Sequence, residues 1–195
     1  MSSAPILPFD VTICGIDELI DHCAAGVTHV LSILDPEREE PDAFGSFGEH
    51  ARLELRFHDV LDEKPGFEAP QPHHIEALLA FGLALADEPS GRAHLLVHCH
   101  AGVSRSTAAT LLLLAQACPA IPADQLMAEV GRIRSKAWPN LRMTELGDAR
   151  LGRGGTLVDA VRARYRFMAE QRPELIRFMS GLGRDRELEG IERKD

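Results

Sequence analysis

The sequence predicts an α/β fold, a three-layer-like sandwich in which helices flank a central, mostly parallel sheet of four to five strands. Apolar segments of strand length alternate with helical patterns along the chain, which is typical of parallel sheets. The chain has 195 residues, of which 45% are hydrophobic and 26% are charged. This length and composition suit one soluble domain with a full core, and do not clearly require two.

Four strands are predicted from apolar segments bounded by turn residues, at residues 11–14, 27–34, 52–57 and 95–97. The segment 27–34 is almost continuously apolar, as in a strand buried on both faces. Residues 52–57 alternate polar and apolar side chains, as a half-buried strand does. An acidic stretch rich in Pro and Gly separates these two strands and indicates an exposed loop.

Helices are predicted where apolar residues recur at helical spacing, at residues 17–25, 72–87, 107–115, 122–134, 143–151 and 156–171. Pro72 and Pro122 each stand at the start of a helix, where a missing backbone N–H is tolerated. Pro119 ends the helix that follows the fourth strand. Thr156 is the predicted cap of the last long helix, and a further helical segment follows Pro173.

Charge and cysteine usage limit the classes of function. The net charge of −9, from 21 basic and 30 acidic residues, argues against nucleic acid and anionic membranes as main partners. The four cysteines lack metal-ligand spacing, and the adjacent His73 and His74 are expected to point in different directions on a helix. We therefore expect no metal and no cofactor. The N-terminus lacks a secretory signal and no apolar run approaches membrane-spanning length, so we expect a cytoplasmic protein.

The segment 98–106, with the sequence HCHAGVSRS, carries the clearest chemical signal. It places the Cys99 thiol and the Arg105 guanidinium six residues apart at a predicted strand-to-helix junction. A loop that enters a helix presents unpaired backbone N–H groups and the positive end of a dipole, so it attracts phosphate-like anions. A cysteine there is expected to be partly or fully ionised. The segment therefore predicts an anion site with a nucleophile at its base.

This segment matches the Cys-x5-Arg phosphate loop of the protein tyrosine phosphatase superfamily, and its form is most similar to the dual-specificity branch. Two further segments support the resemblance. Residues 134–140 (RSKAWPN) resemble the Arg-x-x-x-x-Pro-Asn stretch of that branch, and residues 26–34 (GVTHVLSIL) resemble its early strand. The resemblance covers roughly residues 10–150. It implies a cysteine-dependent phosphatase domain at residues 1–152. Residues 153–195, after the glycine-rich hinge at 152–155, are then a C-terminal helical extension packed on or trailing that domain.

The resemblance implies hydrolysis of a phosphomonoester through a cysteinyl-phosphate intermediate. Cys99 is the expected nucleophile, and Arg105 is expected to hold two phosphate oxygens in its planar fork. Ser106 is expected to bond the thiolate and ease its departure. His98 is expected to hold the loop by hydrogen bonds and to help keep Cys99 ionised. Backbone N–H groups of the loop are expected to bind the remaining phosphate oxygens, and they belong to His100, Ala101, Gly102, Val103, Ser104 and Arg105.

A general acid must protonate the leaving group, and the dual-specificity branch carries it as an aspartate shortly after a strand. Asp59 fits this pattern best, because it follows the strand ending at Phe57 by one residue. Asp62 is the alternative acid. Asn140 either orients one of the active-site loops through its amide or serves as a residue of a helix boundary. His100 is expected at the rim of the site.

The sequence thus predicts a protein tyrosine or dual-specificity phosphatase that acts on a phosphorylated protein or a small phosphoester. Two alternatives stay open: a catalytically weak module that binds phosphate, and a phosphatase for a non-protein phosphoester. The sequence does not specify the physiological substrate or the oligomeric state. Cys14 is either a small buried side chain or a partner that protects Cys99 by a disulfide.

Overall fold

A four-stranded parallel sheet forms the centre of the computed structural model, which describes residues 8–86 and 93–191. The strands are β1 (Asp10–Cys14), β2 (His29–Leu34), β3 (Ala51–Arg56) and β4 (His94–His98). Their order across the sheet is β1-β4-β2-β3, and every pairing is parallel. The α/β fold predicted from the sequence is therefore confirmed, with four strands in the described part of the chain.

The described residues contain six α-helices: α1 (Pro72–Ala86), α2 (Arg105–Ala117), α3 (Ala123–Ile133), α4 (Leu141–Leu151), α5 (Thr156–Gln171) and α6 (Glu174–Gly181). Short 3₁₀ helices lie at Ile16–His22, Asp42–Ser46 and Asp185–Leu188. The first was predicted as a longer helix over 17–25, but its backbone bonds join residues three apart. The predicted end of α1 at Asp87 lies outside the described residues. None of the described helices combines the length and apolar content that crossing a membrane requires.

The side chains of β4 alternate between two hydrophobic clusters on opposite faces of the sheet. Leu95 and Val97 belong to the larger cluster, which the α-helices build, whereas Leu96 belongs to a smaller cluster beside the first two 3₁₀ helices. Cys99 continues the alternation and lies in the larger cluster. The ring of His98 lies on the other side, 5.4 Å from the ring of Phe44.

The glycine-rich segment 152–155 is fixed to α4 rather than free of it. The Asp148 carboxylate accepts the backbone N–H groups of Gly155, at 2.6 Å, and of Leu157, at 2.9 Å. The predicted capping role of Thr156 is therefore wrong: Thr156 is the first residue of α5, and its hydroxyl donates backwards to the Arg153 carbonyl. A carboxylate from the preceding helix satisfies the free N–H groups instead.

Candidate active site

The loop from Cys99 to Arg105, here called the 99–105 loop, connects β4 to α2. The Cys99 side chain is buried, and its Sγ lies 3.2 Å from the Oγ of Ser106 in the first turn of α2. Apolar residues of β4 and α2 bury both elements, so the thiol is held at a rigid junction. The structure thus brings together the Cys99 thiol and the Ser106 hydroxyl, as the sequence predicts.

Gly102 allows the loop to pass close to the end of β1. Its φ angle is +66°, in the left-handed region that favours glycine. A Cβ at this position would lie 2.5 Å from the backbone carbonyl carbon of Cys14. Any side chain here would therefore push the loop away from the strand.

Arg134 holds the outer side of the 99–105 loop. Its Nε donates to the Gly102 carbonyl at 2.9 Å, and its Nη2 donates to the Ala101 carbonyl at 3.1 Å. Glu18 completes the arrangement by accepting from the same Nη2 at 2.5 Å. Because Arg134 binds the carbonyl groups of Ala101 and Gly102, the backbone N–H groups of the loop remain available for other partners. Sequence reasoning noted Arg134 only as part of the family-like segment 134–140.

Arg105 is buried and is anchored at one end of its guanidinium group. Its Nη1 donates to Asp35 Oδ1 at 2.7 Å and to the Phe57 carbonyl at 2.6 Å. Its Nε is buried and has no hydrogen-bond partner among the described residues. An unpaired buried donor is costly, so this nitrogen is suited to receive an anion. Sequence reasoning missed Asp35, although its place directly after β2 puts it at the edge of the sheet where binding sites form.

His100 lies at the rim of the site, with its side chain 34% exposed. Its Nδ1 is 3.6 Å from Asp35 Oδ2. Partial burial and the nearby Arg105 lower the pKa of His100, and they outweigh the opposing effect of Asp35. The neutral imidazole is therefore favoured at neutral pH.

Asp59 is bonded to the 99–105 loop. Its Oδ1 accepts from Ser104 Oγ at 2.7 Å and from Asn140 Nδ2 at 2.8 Å, and it lies 3.1 Å from Arg184 Nη1. Burial by itself raises the pKa of Asp59, but attraction to Arg184 and Arg105 and the two hydrogen bonds bring it below its ordinary value. In the free protein the carboxylate is accordingly ionised at neutral pH.

Asp62 is placed differently. Its side chain is 66% exposed and pairs with Arg186 Nη1 at 3.0 Å. Among the described contacts, none joins it to the 99–105 loop. Of the two aspartates considered from the sequence, the structure therefore brings only Asp59 into contact with the loop.

Asn140 is buried and fills both of the roles considered for it. Its Nδ2 donates to Asp59, while its Oδ1 accepts the backbone N–H of Met143 at 3.0 Å and so caps α4. Its own backbone N–H donates to the Ser104 carbonyl at 3.3 Å. One side chain thereby connects a helix start, the loop and the carboxylate.

His98 lies at the end of β4, directly before the 99–105 loop. Its ring is fully buried, and a hydrogen bond with the Cys99 backbone acts to raise its pKa. Burial lowers its pKa to about 4, so the ring is neutral at neutral pH. The ring also packs against Phe44, because it projects from the face of the sheet opposite Cys99. The role of His98 in holding the loop by hydrogen bonds stays a prediction.

Cys14 is a free, buried thiol in the smaller hydrophobic cluster. Burial raises its pKa to about 12, so it is un-ionised at neutral pH. Cys99 belongs to the cluster on the other face of the sheet. The described cysteines are all free, and Cys14 packs as a small apolar residue.

The expectation that His73 and His74 diverge is wrong. Their ring centroids are 3.9 Å apart, and with Glu68 they place three potential metal-ligand atoms within 4.8 Å of one another. The His74 ring turns back so that its Nδ1 accepts the Gln71 N–H at 3.0 Å. A neutral His74 then carries its proton on Nε2, which faces Glu68 at 3.7 Å. In this tautomer Nε2 can donate a hydrogen bond to Glu68, and it has no free lone pair with which to bind a metal ion.

Comparison with known proteins shows the same architecture. No model of a known protein family matches the sequence, and no curated protein sequence matches it. Among solved structures, a human tyrosine phosphatase-like serine/threonine/tyrosine-interacting protein aligns with 18% identity and a TM-score of 0.57, over 77% of this chain and 95% of that one. The PTP-2 phosphatase of Cydia pomonella aligns with 20% identity and a TM-score of 0.56, over 74% and 87%. Human DUSP28 aligns with 16% identity and a TM-score of 0.54, over 76% and 97%.

The aligned region accounts for about three quarters of this chain and nearly all of each relative. At these identities the similarity concerns the fold. This chain therefore has the α/β fold of the solved phosphatases with which it aligns.

Proposed function

We propose that the protein is a phosphomonoester hydrolase that acts through a cysteinyl-phosphate intermediate. The observation that carries the proposal is the 99–105 loop itself. Cys99 lies at its base, and the unpartnered Nε of Arg105 lies at its end. A phosphate bound here would satisfy that donor and the backbone N–H groups at the start of α2. The phosphatase folds of the structural relatives support the same reaction class.

In the first step the Cys99 thiolate attacks phosphorus and the ester oxygen leaves. Arg105 binds the equatorial oxygens while Asp35 and the Phe57 carbonyl hold its other end. Asp59 gives its proton to the leaving oxygen, which departs as a neutral alcohol or phenol. The phosphoryl group then stays on sulfur as a thiophosphate ester.

In the second step water attacks the phosphorus, and the Asp59 carboxylate takes its proton. The S–P bond breaks, inorganic phosphate leaves, and Cys99 returns to the thiolate. The Ser106 hydroxyl, 3.2 Å from Sγ, stabilises this leaving group by donating a hydrogen bond. Both steps balance without a metal or a redox partner.

The ionised state of Asp59 in the free protein fits this cycle. A substrate dianion bound beside Arg105 offsets the positive charge that favours the Asp59 carboxylate. Substrate binding therefore raises the pKa of Asp59 and promotes its protonated form. Its three contacts all fall on Oδ1, and the side chain is 30% exposed, so the second oxygen can carry the proton.

The proposed substrate is a phosphorylated protein. The enzyme would act either on phosphotyrosine alone or on phosphotyrosine and phosphoserine or phosphothreonine. The 99–105 loop contains no lysine, so it lacks the extra cations that a highly charged inositol phosphate would need. Because the net charge of −9 repels a phosphorylated substrate overall, the attraction for the phosphate group must come from the 99–105 loop. The proposed setting is a reducing compartment, since catalysis requires a free thiol.

The proposal is tested with p-nitrophenyl phosphate in the presence of a metal chelator. We expect hydrolysis that vanadate inhibits, because vanadate mimics the pentacoordinate phosphorus. Cys99→Ser should lower the rate by about 10⁴-fold or more, while binding of inorganic phosphate persists. The matched control Cys118→Ser changes a cysteine at the opposite end of α2 and should keep the wild-type rate.

Turnover that survives Cys99→Ser would overturn the mechanism. Wild-type protein that binds phosphate without hydrolysing any phosphomonoester would instead indicate a phosphate-binding module. A panel of phosphotyrosine peptide, phosphothreonine peptide and phosphoinositide at matched concentration then identifies the substrate class.

A further inference from the structure

A buried arginine from the C-terminal segment reaches Asp59. Arg184 follows α6, and its side chain is only 5% exposed. Its Nη1 lies 3.1 Å from Asp59 Oδ1, and its Nη2 donates to Ser104 Oγ at 2.8 Å. Ser104 in turn donates to the same Asp59 oxygen at 2.7 Å. The guanidinium group therefore supports Asp59 directly and also through the loop hydroxyl.

Arg184 is itself fixed by a bidentate ion pair with Glu187. Its Nε donates to Oε2 at 2.8 Å, and its Nη2 donates to Oε1 at 2.6 Å. Glu187 is 1% exposed, and it also accepts from Trp138 Nε1 at 2.6 Å and from the Leu141 N–H at 3.1 Å. Buried charges are retained at low cost only when they are paired and hydrogen-bonded in this way. These contacts fix the guanidinium group on the side of Glu187 while its Nη1 faces Asp59.

The same network supports the second donor to Asp59. Trp138 and Leu141 flank Asn140, whose Nδ2 donates to Asp59 at 2.8 Å. The Tyr165 hydroxyl lies 3.2 Å from Glu187 Oε1 and extends the network into α5. Glu187 thus connects the C-terminal segment with both groups that hold the proposed general acid.

We propose that Arg184 is a positioning residue that aligns Asp59 with the 99–105 loop and sets the upper pH limit of catalysis. The inference rests on the proposed role of Asp59 as general acid. It makes the C-terminal segment a part of the catalytic machinery rather than an appendage. Arg184 lies outside the family-like segments at 26–34, 98–106 and 134–140.

Several charged groups surround Asp59, and among them Arg184 has a larger effect on the pKa of Asp59 than Arg105 has. Arg184 and Arg105 are the two cations that hold the pKa of Asp59 low, and Arg184 acts more strongly than Arg105. His100 and Tyr165 also interact electrostatically with Asp59 from the rim of the site and from α5. Arg105 remains when Arg184 is removed, so the variant keeps part of the attraction.

The test compares pH profiles of kcat for phenyl phosphate, because kcat reports the substrate complex, in which the leaving group needs a proton from Asp59. The descending limb reports loss of the protonated general acid. We expect Arg184→Met to move this limb upward by about one pH unit or more, because an opposite charge has been removed. We also expect kcat at the optimum to fall about 10-fold, since Asp59 loses alignment. Arg184→Lys keeps the charge and should return the limb towards its wild-type position.

A matched control is offered by Arg186, two residues away in the same short segment. Arg186 pairs with Glu145 and Asp62. Arg186→Met should leave the limb in place. The double variant Arg184→Met with Glu187→Gln removes both buried charges together, so it gives the same measurement if the single variant does not fold.

Asp59→Asn separates this proposal from the proposed function. One outcome is that Asp59→Asn abolishes the descending limb, whereas Arg184→Met or the double variant leaves the limb at its wild-type pH. The positioning role of Arg184 is then overturned, and the assignment of Asp59 as general acid stands. A uniform loss of rate without a shift of the limb also overturns it, since it would show only a structural role. If Asp59→Asn leaves the limb unchanged, the general-acid assignment is wrong, and the role of Arg184 falls with it.

Discussion

At the scale of single residues, the choice between two nearby aspartates depends on their contacts. Asp59 has three donors around Oδ1, two of them from the 99–105 loop and the segment before α4. Asp62, three residues later, lies in solvent beside Arg186. Proton transfer requires reach before it requires a suitable pKa, so the contacts favour Asp59 as the acid.

Asp59→Asn should lower kcat on phenyl phosphate by about 10²- to 10⁴-fold, the usual contribution of a general acid. The loss should be far smaller with p-nitrophenyl phosphate, because nitrophenolate leaves without a proton. Asp62→Asn is the control, and it should stay near the wild-type rate with both substrates. Steady-state kinetics with the two esters measure the difference. The assignment would move to Asp62 if the two variants exchanged behaviour.

At the scale of elements, four neighbours position the 99–105 loop. β4 and α2 fix its two ends, the end of β1 closes against Gly102, and Arg134 holds its carbonyls. The start of α4 adds Asn140, which serves as helix cap and as donor to Asp59. One side chain therefore serves both the helix terminus and the contact to the proposed general acid.

Substitutions of Asn140 should separate these two roles. Asn140→Ala removes both, and should cost about 0.5–2 kcal/mol of unfolding free energy through the lost cap. Asn140→Ser retains a capping hydroxyl, so it should recover part of that stability. It lacks the amide that reaches Asp59, so kcat on phenyl phosphate should stay about 10-fold low. Urea unfolding and steady-state kinetics test this, and wild-type kcat in Asn140→Ser would contradict it.

At the scale of the whole molecule, His98 couples stability to pH. The folded-state pKa is about 4, below the ordinary value of 6.5, so the unfolded chain binds a proton first as pH falls. The free energy of unfolding therefore falls as the pH is lowered from about 6.5 to about 4. Above pH 6.5 the contribution of His98 to stability is fully present. The difference of about 2.5 units corresponds to about 3 kcal/mol at the acid end.

The measurement is urea unfolding at a series of pH values between 7 and 4. In His98→Leu the fall in the free energy of unfolding between pH 7 and 4 should be smaller than in the wild type by about 3 kcal/mol, because the titrating group has been removed. His73→Gln changes an exposed histidine and should leave the slope as in the wild type. An unchanged slope in His98→Leu would show that other groups cause the acid sensitivity.

Much of the fold and part of the site could be predicted from the sequence. Strand and helix periodicity is local, so the four strands and most of the helices follow from it. The strand-to-helix junction at 98–106 is equally local, and it predicts the anion loop. The packing of the His98 ring against Phe44 could not be predicted, because the sequence does not show which face of the sheet a side chain on a central strand will meet.

The α/β class, the loop that pairs Cys99 with Arg105 and a short set of candidate acids all follow from the order of the amino acids. The folded arrangement was needed to show that Asp35 anchors Arg105 and that Asp59, rather than Asp62, contacts the loop. It alone brought Arg184 to Asp59 from 125 positions further along the chain. The physical reason is that these contacts join distant segments. Their energies depend on burial and on distances of a few ångströms, and neighbouring residues in the sequence do not encode them.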